Sequence, residues 1–166
     1  MPSWLLIMVF FCISALGFVK AEKLKRRQTS LKACHLFFQS LRREIDYHHY
    51  YIDQHISQYV KGKSGLFYAF LIEVSQGSGS FQSRFKVALD MYHARLALSK
   101  TDVFMLEEFG DIVGSTSMTE QLRHLDFLVQ YVEIELEALK GRIDQDVHLY
   151  IISSMLMGGL IIILLL

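Results

Sequence analysis

The residues best suited to chemistry are the histidines between positions 48 and 55, which could bind a divalent metal ion. His48 and His55 are seven residues apart and would share one face of a helix. The same holds for His49 and Asp53, which are four apart. This spacing fixes no third ligand, and a half-exposed surface of tyrosine and histidine side chains explains the same residues. We therefore predict no metal and no cofactor, and keep a membrane-tethered metal-binding protein as an alternative function.

Two groups of carboxylates are the next candidates, for acid–base chemistry or for binding. They are Glu107, Glu108 and Asp111, and then Glu133, Glu135 and Glu137. Nothing in their surroundings suggests burial or a neighbouring nucleophile, so we predict no catalytic residue and no enzyme. A solvated helix face is the simplest interpretation, and an acidic surface that binds a partner is the alternative.

An apolar run from Trp4 to Val19 is followed at once by a basic group. The basic residues are Lys20, Lys23, Lys25, Arg26 and Arg27. A signal peptide would carry its basic residues before the apolar run, so the order favours an uncleaved membrane helix. Residues beside a span interact with anionic lipid headgroups, and we therefore predict membrane lipid, and no nucleic acid, as the partner of this group.

The C-terminal residues 149–166 carry no charge and are long enough to span a bilayer core of about 30 Å. We therefore predict transmembrane helices over 1–19 and 149–166, with one domain over 20–148 between them. Basic residues stay in the cytoplasm, and they flank both predicted spans on the domain side. The prediction is a multi-pass membrane protein with a cytoplasmic domain and both termini outside the cytoplasm.

The domain reads as helical throughout, because apolar residues recur every three or four positions and no strand alternation appears. Six helices are expected, at 21–47, 48–60, 66–74, 81–96, 102–113 and from 117 onward. The helix at 66–74 is apolar on all sides and is predicted to lie at the centre of the bundle. Ser117 and Glu120 have the form of a capping box that begins the last helix.

The charge distribution predicts which helices meet. Residues 20–43 hold eight basic residues and one acidic residue, whereas residues 101–148 hold three basic and eleven acidic residues. Opposite charges attract across a helix interface. We therefore expect the first helix of the domain to pack near the last one.

Several short motifs then occur in a familiar order along the whole chain. They are Gly17-Phe18-Val19-Lys20-Ala21, Leu41-Arg42-Arg43-Glu44-Ile45-Asp46-Tyr47, Phe109-Gly110-Asp111-Ile112-Val113-Gly114-Ser115 with Gln121, and Met157-Gly158-Gly159-Leu160. Together they resemble the stage III sporulation protein AB family of endospore-forming bacteria. The resemblance marks Glu44, Ile45, Tyr47, Gly110, Gly114 and Gln121 as structural motif positions. Gly158 and Gly159 would let the terminal span pack closely against another.

The resemblance implies an all-α, six-helix cytoplasmic domain similar to that of the F-type platform protein of type II secretion and type IV pilus machines. It also implies a non-catalytic membrane scaffold in the channel complex between mother cell and forespore. The expected partners are a cytoplasmic secretion-type ATPase and other stage III sporulation membrane proteins, at the mother-cell membrane around the forespore. A bitopic sensor or receptor is the alternative, although it would place the domain outside the cytoplasm.

Overall fold

The computed structural model describes residues 3–48, 52–113 and 117–165, and its regular secondary structure over these ranges is helical. It describes the side chains of residues 19–20, 22–45, 52–113, 117–143, 145 and 149. The helices are α1 (Ser3–His48), α2 (Ile52–Tyr59), α3 (Leu66–Gln76), α4 (Phe81–Tyr92), α5 (Lys100–Ile112) and α6 (Met118–Leu165). The prediction of an all-α fold with six helices is confirmed for the described residues.

The two long helices, α1 and α6, pack against each other as an antiparallel pair. Arg27 of α1 binds Glu135 of α6, and further along α1 Arg42 binds Asp126, so residue numbers rise on one helix as they fall on the other. These ion pairs join the basic segment, residues 20–43, to the acidic segment, residues 101–148. The packing predicted from the charge distribution is therefore confirmed.

The core is built largely from phenylalanine rings held between α1, α5 and the short helices. Phe38 of α1 lies 4.9 Å from Phe109 of α5, and Phe85 of α4 lies 5.4 Å from Phe109, measured between ring centroids. Tilted and edge-on rings at such distances are favourable, and each fully buried ring contributes about 1.5–3 kcal/mol. The core side of α1 follows the apolar spacing of the sequence, with Leu31, Cys34, Phe38, Leu41 and Ile45 buried.

The short apolar helix α3 does not lie at the centre of the bundle, and that prediction is wrong. Phe67, Phe70, Leu71 and Val74 are buried, but Leu66 and Ile72 are 36% and 37% exposed. The helix packs on one side, against α4, α2 and α1. Apolar composition around a whole helix therefore gave no information about which side is covered.

The boundary between α4 and α5 is set by a turn and a cap. Helix α4 ends at Tyr92, earlier than expected, and a turn over residues 93–97 is fixed to α1 by the Ser30 hydroxyl, which donates to the Leu96 carbonyl at 2.9 Å. Helix α5 begins at Lys100, where Ser99 and Asp102 form a capping box. This cap places the Asp102 carboxylate close to α1.

The predicted localisation is corrected by the structure, because no helix in its described part is both long and apolar enough to cross a membrane. Helices α1 and α6 have sufficient length, with 46 and 48 residues. A span needs about 20 consecutive apolar residues, whereas the described side chains of both helices include charges, between Lys20 and Glu44 in α1 and between Glu120 and Arg142 in α6. The prediction of a multi-pass protein with a cytoplasmic domain is therefore wrong; the side chains of 1–18 and 150–166 lie outside the described residues.

Candidate functional site

The bundle encloses a charge cluster in which Arg27 of α1 meets acidic residues of α5 and α6. The guanidinium donates to both carboxylate oxygens of Asp102, from Nε at 2.6 Å and from Nη2 at 2.7 Å. Nη2 also donates to Oε2 of Glu135 at 2.6 Å. The side chains of Arg27 and Asp102 are only 12% and 2% exposed. Three helices are thus joined at one cation that is largely shielded from water, although the side chain of Glu135 is 30% exposed.

Two further side chains complete what we call the Arg27 cluster (Arg27, Ser99, Asp102, Tyr131 and Glu135). The Tyr131 hydroxyl donates to Oδ1 of Asp102 at 3.1 Å, and the backbone N–H of Ser99 donates to Oδ2 at 2.8 Å. Arg27 Nη2 also donates to the Ser99 hydroxyl at 3.2 Å. Asp102 therefore accepts four hydrogen bonds, which compensates the loss of hydration on burial.

The cluster fixes the ionisation of its members. Burial by itself raises the pKa of Asp102, but hydrogen bonds from Arg27 and Ser99 and the Arg27 charge outweigh it and hold that pKa below its ordinary value. The hydrogen bond to Asp102 raises the pKa of Arg27 further, and burial next to Asp102 raises the pKa of the Tyr131 hydroxyl. All three groups keep one protonation state near neutral pH, so the cluster suits structural support better than proton transfer.

The free thiol of Cys34 also lies beside this region, in the buried face of α1. Burial, followed by the negative charge of Asp102, raises its pKa. A thiol that remains protonated is a weak nucleophile. This cysteine therefore belongs to the core.

The predicted basic group divides into two parts. Lys20, Lys23, Lys25 and Arg26 are exposed, and Arg26 pairs with Glu22 of the preceding turn at 3.1 Å. Arg27 instead belongs to the Arg27 cluster. The sequence holds a signal for this difference, because Arg27 stands three residues after Leu24 and four before Leu31, within the apolar seam of α1.

The family motif from Leu41 to Tyr47 lies at the C-terminal end of α1. Ile45 is part of the hydrophobic core, and Glu44 is half-buried, with its charge acting to raise the pKa of His55 against the larger effect of burial. The side chain of Tyr47 lies outside the described residues. The structure therefore gives packing roles for the first two positions.

The family motif from Phe109 to Ser115 contains a glycine that no larger residue could replace without movement. Gly110 is buried, and a Cβ atom placed on it would lie 2.9 Å from Cδ1 of Phe85. This close approach lets α4 and α5 pack with the Phe85 ring against the α5 backbone. Gln121 is half-buried in the first turn of α6, where its backbone N–H donates to Ser117 at 3.0 Å. Gly114 lies outside the described residues, as do the surroundings of Gly158 and Gly159 in α6.

The two described residues of the possible metal site, Asp53 and His55, contact different parts of the bundle. Asp53 accepts hydrogen bonds from Arg84 of α4 at 2.7 and 2.9 Å. His55 is buried, stacked on Tyr59 and close to Phe37, and burial lowers its pKa. The side chain of His48 and all of His49 lie outside the described residues, among which no group of three possible metal ligands occurs.

The acidic groups of α5 and α6 are also divided. Glu135 enters the Arg27 cluster, Asp111 accepts from Gln82 of α4 at 2.6 Å, and Glu107 and Glu108 are half-buried. Glu133 and Glu137 are exposed. Large apolar residues beside them are exposed too, namely Phe104, Phe127 and Ile134. Aromatic side chains are enriched where proteins bind one another, and polar residues form the rim of such surfaces.

Comparisons with known proteins agree on one family. The sequence model of "Stage III sporulation protein AB (spore_III_AB)" matches residues 4–166. The chain is 28% identical over 154 residues to stage III sporulation protein AB of Bacillus subtilis (strain 168), covering 90% of each protein. A solved structure of a stage III sporulation protein AB has the same fold, with a TM-score of 0.61 and 23% identity, over 72% of this chain and 97% of the other.

Proposed function

Because the chain belongs to the stage III sporulation protein AB family, we propose that it is a non-catalytic scaffold that docks a secretion-type ATPase within a sporulation channel complex. Its other partners are proteins of the same stage III assembly. The observation that carries this proposal is the Arg27 cluster, which joins α1, α5 and α6 through part-buried charged hydrogen bonds. A scaffold under load needs helices that keep one arrangement, and such bonds provide it.

The docking end in this proposal is the one at which α1 ends and α6 begins. Described contacts gather several helix ends there: Gln82 at the start of α4 donates to Asp111 at the end of α5, and Arg84 donates to Asp53 at the start of α2. The loop over residues 77–79 lies next to these contacts, directly before α4. A force applied by the ATPase at this end is carried along the paired helices α1 and α6 to their opposite ends.

Co-purification tests the proposal. The full-length chain, carrying an affinity tag, is expressed together with the secretion-type ATPase of the same complex, and an unrelated tagged protein measures background. The ATPase should be retained well above background. Loss of retention under conditions in which a homologous pair associates would overturn the docking role.

A matched pair of loop variants locates the docking end. Gln76→Glu with Ser78→Glu places two new charges beside the contacts of α4 with α5, and it should reduce retention of the ATPase by about tenfold if the loop touches the partner. Lys61→Gln with Ser64→Glu makes the same net change of two negative charges in the exposed loop before α3, which lies toward the opposite end. The control should retain the ATPase as the unaltered chain does.

A further inference from the structure

Helix α1 carries an exposed stripe on the side opposite the core. We define the α1 stripe as Lys25, Thr29, Lys32 and Leu36, which follow one another at spacings of four, three and four residues. All four are exposed, and Leu36 is 54% exposed. Neither lysine forms an ion pair with another described side chain. The spacing is the one that lets two helices pack along a seam.

Helix α6 carries a second stripe of the same geometry and opposite character. We define the α6 stripe as Phe127, Gln130, Ile134 and Glu137, at spacings of three, four and three residues. All four are exposed, with Phe127 at 53% and Ile134 at 59%. The buried face of this helix, which includes Leu125, Leu128, Val132 and Leu139, lies roughly half a turn away. Glu133 flanks the stripe and is also exposed.

Each stripe presents what the other lacks. The α1 stripe offers two ammonium groups on long aliphatic stems and one leucine, and the α6 stripe offers two large apolar side chains beside carboxylates. Lysine stems can cover apolar rings while their charged ends reach acidic neighbours. Two α1 stripes facing each other would bring like charges together, and that arrangement disfavours binding.

We infer that the α1 stripe of one copy of this chain packs along the α6 stripe of a second copy. Burial of Phe127, Ile134 and Leu36 supplies most of the affinity, because exposed ion pairs by themselves stabilise little. The pairs of Lys25 and Lys32 with Glu133 and Glu137 select the partner and its register. Both stripes face away from the core of their own molecule, so packing within one copy does not occupy them.

This contact is heterologous, since different surfaces of the two copies meet. A heterologous contact generates a closed ring when its rotation closes and an open array otherwise. Repeated contacts of this kind would align the helix pairs α1 and α6 of successive copies side by side. The docking end proposed above stays accessible in such an assembly.

Charge reversal in differently tagged full-length copies tests the inference. The two copies are expressed together, one is captured, and the amount of the other is measured. Lys25→Glu with Lys32→Glu in both copies should lower co-capture by about tenfold, because like charges then meet across the seam. Glu133→Lys with Glu137→Lys in both copies should do the same. A chain with all four changes restores opposite charges and should recover co-capture.

The matched control for the α6 reversal is Glu73→Lys with Asp90→Lys, which makes the same charge change at exposed positions of α3 and α4. It should leave co-capture unchanged, and circular dichroism should show the same helix content for every variant. The inference is overturned if unaltered copies are not captured together, if either double reversal leaves capture intact, or if the four-fold variant fails to recover.

Discussion

Two arginines of α1 each bind an acidic residue of α6, and their surroundings differ. Arg42 and Asp126 are 44% and 54% exposed, so water competes for both charges. Arg27, at 12% exposure, binds Glu135, at 30% exposure, and also donates two hydrogen bonds to Asp102, at 2% exposure. Exposed pairs contribute about 0–1 kcal/mol, whereas removing one partner of a buried pair leaves an uncompensated charge and costs about 3–5 kcal/mol. Position in the bundle, and not residue type, therefore separates the two.

The largest effect is expected from Asp102→Ala, which leaves the Arg27 guanidinium buried with only Glu135 as its acidic partner. It should lower the free energy of unfolding by about 3–5 kcal/mol, measured by urea denaturation of the full-length chain. Asp102→Asn is the matched control, because it removes the charge while keeping an oxygen that can accept from Ser99. It should cost less than the alanine. If Asp102→Ala lowers the free energy of unfolding by less than about 1 kcal/mol, the Arg27 cluster stabilises the fold no more than the exposed pair of Arg42 and Asp126.

The contact between Gly110 and Phe85 is also buried but carries no charge, so it shows what burial contributes without an ion pair. Gly110→Ala introduces a Cβ atom 2.9 Å from the Phe85 ring, so the ring or α5 must shift. Overpacking of this kind typically costs about 1–3 kcal/mol, to be read from the same urea titration. Phe85→Leu in the same chain makes room and should recover part of the loss. If Gly110→Ala does not lower the free energy of unfolding, the burial of a residue does not by itself determine how much a substitution destabilises this core.

Acid should weaken the buried cluster by a smaller amount. The pKa of Asp102 is lower in the folded chain than in the unfolded one, so its stabilising contribution is complete above the unfolded pKa of about 3.9 and is lost as pH falls through the folded pKa. Burial also lowers the pKa values of His55 and His124, which weakens the fold below about pH 6.5 in every variant. The difference in melting temperature between the unaltered chain and Asp102→Asn isolates the first effect, and it should narrow only below about pH 4. A constant difference down to strong acid would contradict the assigned pKa direction.

The smallest effect is expected from Arg42→Met, which removes the charge of the exposed pair and keeps much of the aliphatic stem. The free energy of unfolding should change by about 0–1 kcal/mol, and the difference should shrink as salt is added. Urea denaturation at low and high ionic strength measures both. A change as large as that of Asp102→Ala would remove the distinction between the two arginines.

The sequence predicted what depends on regular spacing and on summed charge. Apolar residues every three or four positions located the helices, and the imbalance between residues 20–43 and 101–148 predicted the pairing of α1 with α6. It did not identify the Arg27 cluster, because Arg27 stands among exposed basic residues and its partner Asp102 lies 75 residues away. Its place in the apolar seam was the available signal. The spacing of residues along a helix indicates which side chains are buried, but it does not indicate which charged side chains pair.

Two other predictions were wrong because they inferred the position of a helix from its amino-acid composition. The apolar helix α3 is covered on one side only, and no pattern within a helix that is apolar all round marks that side. Hydropathy likewise led to the prediction of a multi-pass protein, which the described helices contradict. The motif drew attention to Gly110. A glycine is needed there because the Phe85 ring lies close to it, and that contact depends on how α4 packs against α5. For α3 and for Gly110, the missing information lay in the contacts between helices.

The central claim is that burial makes the Arg27 contact with α6 stronger than the Arg42 contact, and two double-mutant cycles test it most directly. One cycle combines Arg27→Met with Glu135→Gln, and the other combines Arg42→Met with Asp126→Asn, with unfolding free energies measured under identical conditions. The first coupling energy should be about 1.5–3 kcal/mol, as for hydrogen bonds between charged groups, and the second about 0–1 kcal/mol. Equal coupling energies in the two cycles would contradict the claim.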